Sequence, residues 1–141
     1  MELHVAYEAI IKFMANKDTD DDKNYLTSIV NEMGQELYAR VLMAHSSAIC
    51  GHIPFYTSML RPAKFLMLMM ALDKKYWLEV LAMMEDGNTC LTEPVAWGHV
   101  DVVNKLLAEV EPELKLQILQ TTDHRGRTLE TLLNNKPDTM K

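Results

Sequence analysis

The sequence predicts an all-α chain, and three observations predict it. No stretch alternates apolar and polar residues for long. β-branched residues are thinly spread. The five prolines and five glycines fall where helices would begin or end. Leu3, Tyr7, Ile10, Ile11 and Met14 share one face of a helix over about 2–16. "KDTDDDKN" then reads as a solvated acidic link, and Asp22 or Asn24 is placed to cap the next helix. Tyr25, Ile29, Met33, Leu37, Val41 and Ala44 continue a helical stripe, with Gly34 as a break. That stripe is expected to run to Cys50 and stop at Gly51, where glycine tolerates the left-handed conformation. Pro54 opens a short helix through Leu60, and Pro62 another through about Asp73. Lys74 and Lys75 suit the C-terminal end of that helix, where the dipole favours cations. Further helices are expected over Tyr76–Met84, Thr89–Trp97, Val100–Glu109, Pro112–Gln120 and Thr128–Asn134. Turns at Asp86-Gly87-Asn88 and Gly98 and the loop "TTDHRGRT" separate them.

A chain of 141 residues fits one domain, 1–141, and can bury a core without metals or disulfides. The net charge of −6, with Lys12, Lys17, Arg40, Arg61, Lys64, Lys74, Lys75 and Arg125 scattered, gives no basic stripe for nucleic acid. The longest apolar run, Phe65–Leu72, is far shorter than the ~20 residues of a membrane span, so no membrane partner is expected. The first helix carries Glu2 and Glu8 and no basic leader, which argues against a secretory signal. Cys50 and Cys90 read as reduced, part-buried thiols in a cytoplasmic setting.

"DGNTCLTEPVAWGHVDVVNKLL", 86–107, resembles the ankyrin repeat. In that family a glycine ends a turn, and a threonine two residues later caps a first helix of small residues. Gly-His then precedes a second helix with an acidic residue and a V-x-x-L-L tail. Gly87, Thr89, Leu91, Gly98, His99, Asp101, Val102, Val103, Leu106 and Leu107 occupy those places without a gap. Cys90, Thr92 and Pro94 depart from the pattern, so the repeat is degenerate. "HSSAICGHIPFYTSML", 45–60, aligns with 92–107, placing Gly51-His52 on Gly98-His99 and His45 where the family's histidine stands. "YWLEVLAMM", 76–84, is a further trace with the Gly-His lost, and "DHRGRT", 123–128, is similar to the family's turn and cap. The resemblance implies a small solenoid of stacked helical hairpins over 38–135. The helices of 1–37 would cap it, and 136–141 would be a tail. It leaves room for only one or two projecting fingers, because Gly51 and Gly98 stand 47 residues apart where the family repeats every 33 or so.

Chemistry has little support. The five histidines show no zinc spacing. Asp18, Asp20 and Asp22 lack the glycine and the glutamate of a calcium loop, with Lys23 and Ile29 in those places. His52 and His99 read as structural hydrogen-bonding residues. Nothing in the sequence pairs Cys50 or Cys90 with a base, and there is no phosphate loop. No cofactor, metal or catalytic residue is therefore expected. The resemblance implies a non-catalytic module that binds a partner protein as an adaptor, inhibitor or regulator. In such stacks the turn tips and the exposed first-helix positions make the contacts. Here those are Glu85, Asp86, Asn88, Glu93 and Trp97, with His124, Arg125 and Arg127 in the last turn. Trp97 is the candidate anchor, and the carboxylates beside it suit a basic partner surface. Self-association through a methionine-rich patch at Phe65–Met84 is the second reading, and an unrecognised enzyme the third.

Overall fold

The computed structural model describes residues 1–46, 49 and 51–135. Cys50 and the expected tail, 136–141, lie outside the described residues. The chain is helical among the described residues, with a two-residue antiparallel pairing as its one sheet. The helices are α1 (Leu3–Ala15), α2 (Asp22–Met33), α3 (Gln35–Met43), α4 (Ile53–Leu60) and α5 (Pro62–Met70). They continue with α6 (Trp77–Leu81), α7 (Thr92–Ala96), α8 (Asp101–Leu107), α9 (Pro112–Leu119) and α10 (Leu129–Asn135). A 3₁₀ turn, Lys74–Tyr76, leads into α6. No helix among the described residues is long and apolar enough to cross a membrane.

Breakers act where the sequence puts them. Gly34 (φ +86°) separates α2 from α3, and Gly98 (φ +85°) turns the chain between α7 and α8. Pro62 and Pro112 open α5 and α9, where a missing N–H costs nothing. Thr89 precedes α7 and accepts at its hydroxyl from the Thr92 amide at 3.0 Å, while the Thr92 hydroxyl accepts from the Thr89 amide at 2.7 Å. Thr128 repeats the device before α10, accepting from the Thr131 amide at 3.1 Å. These bonds satisfy amides that a helix start leaves orphaned.

Two expectations about the first half are corrected. The helix expected to reach Cys50 stops at Met43. His45–Ser46 (β1) then pairs antiparallel with Gly51–His52 (β2), in the register His45↔His52 and Ser46↔Gly51. Gly51 is therefore extended rather than left-handed, and its role is space. A Cβ there would collide with the Glu85 carboxylate. The acidic link is not merely solvated, and neither Asp22 nor Asn24 stands at the N-cap, a place taken by Asp21. The Asp22 carboxylate accepts from the Thr19 amide and hydroxyl, at 3.0 and 2.9 Å, and from Lys64 Nζ at 3.0 Å. Arg61 donates to Asp18 and to the Met14 and Asn16 carbonyls. The start of α5 thus fastens the end of α1 and the link after it.

The recurring layer has three helices rather than the expected two. α1, α2 and α3 pack on one another. Then α5 packs on α2 and α8 on α5, α6 packs on α3 and α9 on α6, and α4, α7 and α10 form a third row. Burial keeps the same register. Leu26, Phe65 and Val103 are buried at matching places in α2, α5 and α8, as are Val30, Met69 and Leu107. Val41, Val80 and Ile118 do the same in α3, α6 and α9. The matched residues stand 39 and then 38 positions apart, read from their numbers. The alignment of Gly51-His52 with Gly98-His99 is therefore out of register. The reversal that corresponds to Gly98 falls at Leu60–Arg61, between α4 and α5.

Candidate binding ridge

Each layer joins the next through a loop that doubles back on itself. The first is the pairing of β1, His45–Ser46, with β2, Gly51–His52. The second is a bridge between Glu85 and Asn88, and the third a bridge between Thr122 and Thr128. Three fingers therefore exist among the described residues, where the sequence left room for one or two.

Neighbouring fingers are bonded to one another. Glu85 Oε1 accepts from the His52 amide at 3.0 Å and lies 2.8 Å from His52 Nδ1. On the other side of the same finger, the Gly87 carbonyl accepts from the His124 amide at 2.9 Å and lies 2.8 Å from His124 Nδ1. A carbonyl can only accept, so Nδ1 of His124 carries the proton. Gly87 holds φ +88°, and a Cβ there would stand 2.5 Å from His124 Nδ1. Gly87→Ala is expected to cost about 1–2 kcal/mol from the left-handed backbone alone. It also displaces the His124 ring. Urea unfolding reads the first effect, and the histidine ring resonances of an NMR spectrum read the second.

The third finger is built on Asp123, which the sequence reading did not single out. Its buried carboxylate accepts from the Arg125 and Arg127 amides, each at 2.9 Å, and from Arg127 Nε at 2.8 Å. Burial pushes this carboxyl up, but the Arg127 amide, the Arg127 side chain and the Arg125 amide together hold it below the ordinary aspartate value. The visible signal was Asp-x-x-Gly-x-Thr, an aspartate able to bond its own turn.

The expected contact residues divide into groups. Asn88, Glu93 and Trp97 come together, because the Glu93 carboxylate accepts from Asn88 Nδ2 at 3.1 Å and from Trp97 Nε1 at 2.7 Å. Trp97 is 67% exposed, so this bond orients the ring without covering it. Asp86 is exposed at the fingertip with φ +53°, the one non-glycine residue with positive φ among the described residues. Glu85 turns inward and serves the first finger. His124 is tied to Gly87 and Arg127 to Asp123, while Arg125 is exposed. His45 sits opposite His52, ring edge to face at 5.4 Å. His52, read as a structural hydrogen-bonding residue, is bonded to Glu85 on this face, and the side chain missed there is Tyr56, exposed on α4.

Other candidates change character. In the methionine-rich segment Phe65, Leu68, Met69, Trp77, Val80 and Leu81 are buried, leaving Met70 and Met84 as its large exposed apolar residues. Cys90 is fully rather than partly buried, and burial pushes its thiol up to about 12, so it supplies no thiolate at neutral pH. Asp18 and Asp22, the carboxylates with a trace of calcium-loop spacing, are engaged by Arg61 and Lys64. The chain matches no family profile, no curated protein and no solved structure.

Proposed function

We propose that this protein is a non-catalytic binding module of degenerate ankyrin-like build, an adaptor, inhibitor or regulator that holds a partner protein along the ridge of fingers and the exposed ends of α4 and α7. One observation carries the reading. Fingers recur from layer to layer and are bonded loop to loop, with His52 and Glu85 33 positions apart, while Trp97 stands oriented and uncovered beside them. A tryptophan with its N–H satisfied by its own chain presents a rigid apolar face at small entropic cost, which is what an interface anchor needs. The additional helices, α6 and α9, lengthen each layer beyond the roughly 33 residues of the family repeat. An intracellular setting belongs to the same proposal, since the free Cys90 suits a reducing compartment.

The test is a double variant, Trp97→Ala with Glu93→Lys. Circular dichroism and the melting curve are expected to match wild type, because both side chains lie outside the core. Affinity capture from the source cells is expected to lose proteins that wild type retains, and that Lys105→Glu on α8 retains as well. Capture of the same proteins by all three would refute the ridge.

A further inference from the structure

Between the first two fingers and α4 lies a cleft of about 210 Å³. Its lining includes apolar Phe55, Tyr56 and Met59 and acidic Glu85, Asp86 and Glu93. Asp18, Asp22 and Asp123 are each paired with a lysine or arginine of the chain itself. Among the described residues no lysine or arginine pairs with Glu85, Asp86 or Glu93. Their side-chain bonds come from groups that are neutral or, for His52, ionised only when protonated: His52 on Glu85, and Asn88 and Trp97 on Glu93. These bonds aim the two glutamates and bring no lysine or arginine to them.

Resting on the binding-module reading, we infer that this cleft takes an arginine side chain from an extended segment of the partner. A guanidinium on an aliphatic stem matches both kinds of lining. The stem covers Phe55 and Met59, while the planar fork donates to two carboxylates at once, which a lysine ammonium does less well. The exposed Tyr56 ring adds a face on which a guanidinium can stack. Asp86, exposed and held in the left-handed region, also lines the cleft, where its charge steers an approaching cation.

The test uses the full chain and a random twelve-residue peptide library displayed on phage. Enriched peptides are expected to share an arginine. Synthetic copies with citrulline in its place, which keeps the shape and removes the charge, are expected to bind about tenfold or more weakly by fluorescence polarisation. Asp86→Asn with Glu93→Gln is expected to weaken the arginine peptides by a similar factor. Both changes keep side-chain shape, although an amide at 93 offers one acceptor oxygen where the carboxylate serves both Asn88 and Trp97, and an unchanged melting curve shows that the fold is intact. Citrulline copies that bind as well as the originals overturn the inference, as does a double variant that binds as wild type. If such peptides still lose affinity on Trp97→Ala, the ridge stands and only the arginine pocket falls. Peptides indifferent to Trp97→Ala and to the double variant overturn both readings, and an absence of enriched peptides overturns the pocket.

Discussion

Asp22→Ala is expected to destabilise the protein by about 3–5 kcal/mol, because it strands a buried cation. Lys64 is fully buried at the start of α5. Its ammonium lies 3.0 Å from Asp22 Oδ2, 2.8 Å from the Phe13 carbonyl and 4.2 Å from the centre of the Phe13 ring. Without Asp22 the nearest carboxylate is Asp18 at 3.8 Å, and that side chain is more than half exposed. The Thr19 turn that holds the link in place loses its acceptor as well. Urea unfolding at neutral pH reads the loss. Combining Asp22→Ala with Lys64→Met is expected to recover most of it, since an apolar pair of similar volume has no charge to bury. If the double variant is as unstable as the single one, the cost lies in the lost Thr19 turn and not in the stranded lysine.

The same carboxylate makes stability depend on pH. The Thr19 amide, the largest influence, holds the Asp22 carboxyl below its ordinary 3.8. Burial opposes this, and the Lys64 ammonium and Thr19 hydroxyl add to it. A folded value below the unfolded one means that this contribution is complete above the unfolded value and disappears as pH falls through the folded one. Wild type is therefore expected to lose urea resistance as pH drops below 3.8. Asp22→Ala is expected to lose less over that range, with Asp123 supplying the remaining acid sensitivity.

Trp77→Ala is the second large effect, expected at about 3–5 kcal/mol, roughly a fifth or more of a typical domain's stability. The ring is fully buried, with its Nε1 donating to the Leu72 carbonyl at 2.9 Å and Lys74 Nζ lying 4.5 Å from the ring centre. It anchors α6, a helix of five residues that must still bridge α3 and α9. Truncation leaves a cavity and a carbonyl without its donor. Trp97→Ala, the same chemical change at the end of α7, is expected within about 0.5 kcal/mol of wild type. Equilibrium unfolding of the two variants side by side checks the contrast.

The two tryptophans show how far sequence reading reaches. Each lies in or beside a short helix with an acidic neighbour, and nothing within a few residues says that one is core and the other surface. The helices themselves were legible, because proline, glycine and apolar spacing act locally. Gly51-His52 and Gly98-His99 misled, because a dipeptide carries no φ. Gly98 is left-handed, while Gly51 is extended under a carboxylate 34 residues further on. The true register was present in Val41-Leu42, Val80-Leu81 and Ile118-Leu119, each pair preceding a finger, but it is a packing pattern and shows no turn chemistry. Of the ridge, Asn88, Glu93 and Trp97 were readable as neighbours because Glu93 and Trp97 lie one helical turn apart and Asn88 immediately precedes the Thr89 cap. His52 joined them only through Glu85.

Local chemistry alone determined that the chain is helical, where most helices begin, and that Thr89 and Thr128 cap α7 and α10. These are matters of backbone conformation and of bonds spanning three or four residues. Three-dimensional packing decided the three-helix layer, the first finger, the burial of Lys64 and the cleft carboxylates left without a lysine or arginine on the ridge. Each depends on groups brought together across tens of residues. Such a meeting is fixed by which apolar faces can be covered at the same time, and no short window of sequence contains that condition.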